Sequence, residues 1–227
     1  VSLIPRLSFI LISIFMTAPA FAARPQNTVP TDAATYEAVT GDSLDDDRTM
    51  WDSFYKSKSN AFGKEAVSFL KDELHQVKKG RAFVPAMGEG RNAIYLAKHG
   101  FVVDGNDLSE VAVDHAMDEA KSQHVAIKGI VGDLNEYHSP DNYYDLVVLS
   151  LFYIKDLMPK FKATLKKGGY LMLYERLDVG NGSSVSPDDF LVKAEDVKNN
   201  LKDFEIKVFK QYKDHDVDVL GVLARKL

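Results

Sequence analysis

The 227-residue sequence contains no cysteine. Disulfide frameworks, thiolate metal sites and cysteine nucleophiles are thereby excluded, and with them the usual clue to redox compartment. A basic excess is missing too. Twenty-eight Lys and Arg stand against 33 Asp and Glu, a net charge of −5, so the chain has no electrostatic footprint for non-specific nucleic-acid binding. No apolar run approaches the roughly 20 residues that a membrane-spanning helix needs. Repeats with a period of about 20–50 residues are absent. His75, His115 and His124 lack carboxylates at ligand spacing, so no metal site is expected.

What is present describes a folded domain behind a leader. Apolar residues make up 45% and charged residues 27%, enough for both a core and a wetted surface. Near the start, Arg6 precedes an apolar run of about ten residues, Leu7 to Met16, and then the Ala20-Phe21-Ala22 site. That order is the order of a secretory signal peptide over residues 1–22, and it implies an exported protein, unless the start is mis-assigned and the protein cytoplasmic. Residues 23–47, with Pro25, Pro30 and the run Asp45-Asp46-Asp47, show no period and read as a flexible linker. One domain, 48–227, follows.

Within it, strand and helix patterns alternate. A helix over Lys64–Val77 carries an apolar stripe at three- and four-residue spacing (Ala66, Phe69, Leu70, Leu74, Val77). Strands are expected near 82–86, 102–106, 125–131, 144–149 and 170–175. Helices over Arg91–His99, from Ser109 to about Ser122 and over Lys155–Lys166 fall between them. Tyr144–Leu149 is nearly all apolar, as a strand buried on both faces should be. Such alternation predicts a parallel sheet with helices on both sides. The end differs. After a helix near Ala194–Leu201, the runs 204–212 and 217–225 have only Lys213–Asp216 between them, so they should pair antiparallel at one sheet edge.

The informative segment lies between the first strand and its helix, Val84-Pro85-Ala86-Met87-Gly88-Glu89-Gly90-Arg91-Asn92. Small residues at 86, 88 and 90 allow a tight turn and close approach of backbone to ligand, and the helix start beyond supplies free N–H groups. Asp107 closes the second strand 19 residues past Gly88. A carboxylate there can accept from both hydroxyls of a ribose. Ala93 stands where a third glycine of the dinucleotide motif belongs, a permitted variant, so the turn alone leaves NAD open; the antiparallel C-terminal pair weighs against it.

The run Gly88-Glu89-Gly90-Arg91-Asn92-Ala93-Ile94-Tyr95-Leu96-Ala97, then Gly105-Asn106-Asp107-Leu108-Ser109, resembles the tellurite-resistance and thiopurine branch of class I S-adenosylmethionine (SAM) methyltransferases. Gly132-Asp133-Leu134, Ser150-Leu151-Phe152-Tyr153 and Leu165–Tyr170 extend the likeness over residues 51–227. The resemblance implies an α/β, Rossmann-like fold with a seven-stranded, mostly parallel sheet and an antiparallel last strand. It implies SAM as cofactor, with the Ala86–Gly90 backbone (Ala86, Gly88, Gly90) around the methionine portion, Asp107 on the ribose and Leu108 on the adenine. Asp133 would accept from the adenine amino group beside Leu134, and Arg91 and Ser150 would complete the set. Val84 departs from the family, which carries an acidic residue there. The segment Tyr174–Asp178 also departs, so the acceptor is not carried over.

Methyl transfer from a sulfonium is an in-line displacement that needs alignment above all. A thiolate, selenide or telluride needs no base, whereas an oxygen or nitrogen nucleophile does. Tyr153, Glu175 and His215 are the candidate bases, and Arg176 a clamp for an anionic small-molecule substrate; Glu175–Arg176 as a surface ion pair and His215 as a turn residue are the bland alternatives. An exported, non-catalytic protein that keeps the fold and binds a nucleoside-like ligand is the competing reading. From the leader, N-terminal sequencing of protein secreted by the native host should start at Ala23 or within a few residues of it; recovery of Val1 on soluble cytoplasmic protein would contradict the export signal.

Overall fold

The computed structural model describes residues 44–179 and 191–227. The export segment and the linker as far as residue 43 lie outside them, as does most of the loop after the fifth strand. The first element is a helix, α1 (Leu44–Ser57). No helix is expected here from the sequence, and α1 takes up residues read as the end of the linker. Acidic residues in a first turn face the positive end of the helix dipole, so a charge run that reads as linker serves as a helix start. The aromatic rings at the end of α1 pack on one another and on Phe62. Trp51 lies 6.0 Å from Tyr55, Phe54 5.2 Å from Tyr55 and 5.8 Å from Phe62, centroid to centroid.

The expected helix over Lys64–Val77 is shorter, α2 (Ser68–Glu73) with a 3-10 turn over Leu74–Gln76. It buries Phe69, Leu70 and Leu74, as the stripe predicted. Then come β1 (Arg81–Val84), α3 (Arg91–Lys98), β2 (Val102–Asp107), α4 (Glu110–Ser122), β3 (Lys128–Val131) and β4 (Tyr144–Ser150). After them stand α5 (Met158–Thr164), β5 (Leu165–Leu177), the two-residue β6 (Leu191–Val192), α6 (Ala194–Asn200), β7 (Phe204–Asp214) and β8 (Val217–Lys226). The expected helix over 155–166 thus gives up its last residues to β5. Ser109 caps α4 as expected, its Oγ accepting from Ala112 N at 3.1 Å, a contact worth about 1 kcal/mol.

The sheet runs β3-β2-β1-β4-β5-β8-β7, with β6 beside the end of β5. The pairs from β3 through β5 are parallel; β8 is antiparallel to both β5 and β7. The C-terminal hairpin therefore forms, with β8 inserted beside β5 and β7 at the edge. His215 and Asp216 make its two-residue turn with φ of +48° and +67°. Both are left-handed, the geometry that matches the twist of a hairpin.

Two apolar layers sandwich the sheet. On one side α2, α3 and α4 cover Val84, Val148, Met172 and Tyr174; on the other α5 and α6 cover Phe83, Leu149, Leu171 and Leu173. Leu146 to Leu149 are at most 1% exposed, so β4 is the central strand that its composition implied. In β8, Gly221 lies under the Phe69 ring of α2, and a methyl at 221 would overlap the ring. Gly221→Ala should overpack this layer and cost about 1–3 kcal/mol in urea unfolding; an unchanged midpoint would show that α2 yields without penalty.

Candidate functional site

The parallel strands β1, β2 and β4 end on the same edge of the sheet, and the site is built there. β1 stops at Val84, not at residue 86. Pro85 is thus the first residue of the turn, and its missing N–H costs no sheet hydrogen bond. The turn is left-handed at three alternate residues, Ala86 (φ +46°), Gly88 (+55°) and Gly90 (+82°). Only glycine takes this region without penalty, so Ala86 holds local strain beside the site. Leu151, just past β4, has φ +53° and repeats the feature at the neighbouring strand end.

The two glycines do different things. A side chain at Gly90 would meet the Ala116 Cβ of α4 at 2.8 Å, so Gly90 serves helix packing. A side chain at Gly88 would meet the Tyr55 hydroxyl at 2.9 Å. The space in front of Gly88 is therefore roofed by α1, and Tyr55 is buried there (4% exposed).

Asp107 is the centre of the arrangement. One carboxylate oxygen accepts from Gly88 N at 2.7 Å and the other from Ser109 N at 3.0 Å. At 7% exposure its burial dominates, and despite those N–H groups and that of Leu108 its pKa is pushed up to about 6. A carboxylate has about four acceptor sites, so these contacts do not exhaust it. Gly132 N donates to the Asp107 carbonyl at 2.9 Å and so brings the Asp133 turn alongside. Asp133 is half-exposed and accepts from Asn135 N at 2.8 Å, while Leu134 is buried against the α5 layer. Leu108 is half-buried next to Asp107. Ala86, Gly88, Asp107, Leu108, Asp133 and Leu134 thus sit on one rim, as the sequence suggested.

Ser150 closes β4, and its buried Oγ has no hydrogen-bond partner among the described residues. Arg91 lies to one side of that rim. Its guanidinium, largely buried, donates to the Phe62 carbonyl and lines a cavity with Tyr174 and Asp214. Burial disfavours its charge, and Tyr174, Tyr55 and Asp214 partly restore it.

Glu175 and Arg176 do not form the surface pair suggested as an alternative. Successive strand residues face opposite sides of a sheet, and Glu175 is fully buried with neither oxygen hydrogen-bonded among the described residues. Burial raises its pKa well above the ordinary carboxylate value; the nearby N–H groups of Phe152 and Arg176 and the Arg176 charge offset it only in part. Tyr153 is on the same side, half-buried, its hydroxyl accepting from Asn200 Nδ2 at 2.6 Å and its pKa raised by burial.

Three site residues carried no recognised signal in the sequence. Asp52 of α1 accepts from Ser109 Oγ at 2.6 Å and Val111 N at 3.3 Å, docking α1 on the start of α4. Glu89 of the turn accepts from Asn60 N and Ala61 N, both at 2.9 Å, and contacts His115 Nδ1 at 3.0 Å. Asp214, at the hairpin, accepts from Ser68 Oγ at 2.6 Å and Tyr174 Oη at 2.8 Å. The Trp51-Asp52-x-x-Tyr55 cluster could have flagged the first; the other two depend on contacts remote in sequence.

Comparison with known proteins agrees with this geometry. A methyltransferase-domain family profile matches residues 85–169. Hemagglutinin 1 of Eikenella corrodens is 21% identical over 180 residues, covering 74% of this chain and 60% of that protein. A probable SAM-dependent methyltransferase of Haemophilus influenzae, TehB, is 22% identical over 175 residues, covering 72% and 61%. The chain thus spans about three-fifths of the length of these curated relatives. The crystal structure of Haemophilus TehB superposes with a TM-score of 0.65 at 17% identity, over 78% of this chain and 67% of that one. Magnesium protoporphyrin IX methyltransferase from Synechocystis, solved with bound SAH, gives 0.62 at 18% identity over 82% and 100%. Domain match, relatives and fold converge: residues 85–169 match a methyltransferase domain, the chain is similar in sequence to TehB, and its fold is that of the class I SAM-dependent methyltransferases.

Proposed function

We propose that the protein transfers the methyl group of SAM to a small molecule whose nucleophile is already ionised, a soft sulfur, selenium or tellurium centre. The observation that carries the cofactor half is the buried Asp107 carboxylate held against the Gly88 N–H. It stands at a strand-end turn with acceptor capacity beyond those contacts, and a carboxylate is the acceptor that a ribose diol requires. The unpartnered Ser150 Oγ on the same edge adds a polar group with no partner among the described residues. SAM supplies the activated methyl. The chain's residues hold it, exclude water under Tyr55 and fix the line of attack.

The acceptor half rests on the state of the candidate bases. Burial raises the pKa of Glu175 well above the ordinary carboxylate value, and with no exposed surface it is not placed to take a proton from an acceptor. The Tyr153 hydroxyl is engaged by Asn200, and its pKa is raised, not lowered. Neither is prepared as a general base, which suits an acceptor that needs none. In this reading Tyr153 shapes the acceptor wall, Glu175 lies buried behind it, and Arg176 orients an anionic substrate.

A second reading is favoured by one observation: Hemagglutinin 1 shows the same level of identity as the methyltransferase relative. The expected leader would accord with it, since export would take the protein away from cytoplasmic SAM. The protein would then be a non-catalytic, exported binder of a nucleoside-like ligand.

Calorimetry with SAM and its demethylated product tests the cofactor half. Asp107→Ala removes a charge-assisted acceptor worth about 1.5–3 kcal/mol, so SAM affinity should fall roughly tenfold to a hundredfold or more with circular dichroism unchanged. Unaltered affinity would remove the cofactor assignment. Gly88→Val should abolish binding by filling the approach to the backbone. Affinity should also weaken as pH drops through about 6, where Asp107 gains its proton. Stability runs the other way. The fold raises this carboxyl's pKa, so its contribution is full below the unfolded value and is lost as pH rises through about 6. A pH titration of both quantities showing the same sign would contradict the assignment to Asp107.

A further inference from the structure

Beside the glycine turn, on the α2–α3 side of the sheet, lies a cavity of about 50 Å³. Its wall comes from three parts of the chain that are far apart in sequence: the start of α2 (Glu65, Ser68, Lys71), Arg91 at the start of α3, and Tyr174 with Asp214 at the ends of β5 and β7. The cavity is thus lined by both signs of charge, and no ion pair joins Arg91 to a carboxylate among the described residues. A guanidinium and a carboxylate held apart across a small polar space are complementary to a zwitterion. The α-amino-acid end of SAM is one.

The neighbouring groups leave few other places for that end. The residues that finish β1 and open the turn, Val84, Pro85 and Ala86, have apolar side chains. Glu89 is committed to Asn60 N, Ala61 N and His115. Asp107 is the group assigned to the ribose. Asp214 remains. Its Oδ2 receives Ser68 and Tyr174, while among the described residues Oδ1 has the His215 Nε2 contact, at 3.6 Å. Its side chain is 15% exposed, which would make an ion contact there less screened than one on the surface. The cavity also adjoins the cofactor turn. Arg91 directly follows Gly90, and the Tyr55 ring that roofs Gly88 lies within electrostatic reach of Arg91.

We propose that this cavity binds the amino-acid end of the cofactor, with Arg91 on the carboxylate and Asp214, from the C-terminal hairpin, on the ammonium. The inference rests on the SAM reading above and adds residues to it. It makes the hairpin, at the opposite end of the chain from the glycine turn, part of the cofactor site. It also gives His215, at the mouth, a position from which to modulate Asp214.

The test compares two nucleosides that differ in that end alone. S-adenosylhomocysteine carries it; 5′-methylthioadenosine does not. Their affinities are measured by calorimetry for the full chain, for Asp214→Asn and for Arg91→Gln. Each variant should bind S-adenosylhomocysteine about tenfold or more weakly, while methylthioadenosine affinity stays within about twofold. Retained methylthioadenosine binding also shows that the variant is folded. If both ligands weaken equally, the two residues only hold the structure and the proposal falls. Unchanged affinity for S-adenosylhomocysteine in both variants overturns it too. So does wild-type protein that binds the two nucleosides equally, with the cofactor reading intact. Wild-type protein that binds neither ends the cofactor reading itself.

Discussion

The hydrogen bond from Gly88 N–H to the Asp107 carboxylate, 2.7 Å long, fixes the rest of the site. It joins the turn after β1 to the end of β2, and the partner oxygen joins β2 to the start of α4 through Ser109 N. Three elements are thereby held at one point by one buried side chain. Burial makes the arrangement costly when the carboxyl is ionised, and that cost measures how strongly the surrounding fold enforces it. A carboxylate in this position serves a ligand better than it serves stability.

The same edge is tied from above by α1 and the turn beyond its C-terminus. Asp52 reaches the cap of α4, Glu89 holds Asn60 and Ala61, and Arg91 holds the Phe62 carbonyl. Glu89 and Arg91 both belong to the cofactor turn or directly follow it. The roof over Gly88 is therefore fastened by the residues it covers, so loosening α1 and rearranging the turn are one event energetically. Surface ion pairs elsewhere, such as Lys213–Asp218 at 3.0 Å, are exposed and contribute little.

On the acceptor side the two faces of β5 carry different chemistry. Tyr174 turns toward α2 and the charged cavity, while Glu175 turns to the other side and is fully buried, which raises its pKa. The alternation of a strand thus separates a polar cavity wall from a buried acid. Adjacent numbers in the chain do not mean a shared site.

Much of this was legible without coordinates. The glycine turn, the spaced acid and the cap at Ser109 are local in sequence, and their backbone requirements show directly in residue type. So does the C-terminal hairpin, because four residues cannot carry a helix between two strand-like runs. The boundaries moved where tertiary packing overrode local pattern. β5 took the end of α5, α1 took the acidic run from the linker, and β1 stopped before Pro85. What the sequence by itself determined is the order of elements and the place of Asp107 at the end of β2 beside the glycine turn, since both come from periodicity and short-range geometry. The tertiary structure alone decided that Asp214 and Arg91 line one cavity, that Glu175 is fully buried, and that Tyr55 roofs Gly88. Those facts depend on contacts between residues tens of positions apart, whose relative placement exists only after the sheet has set the register of its strands.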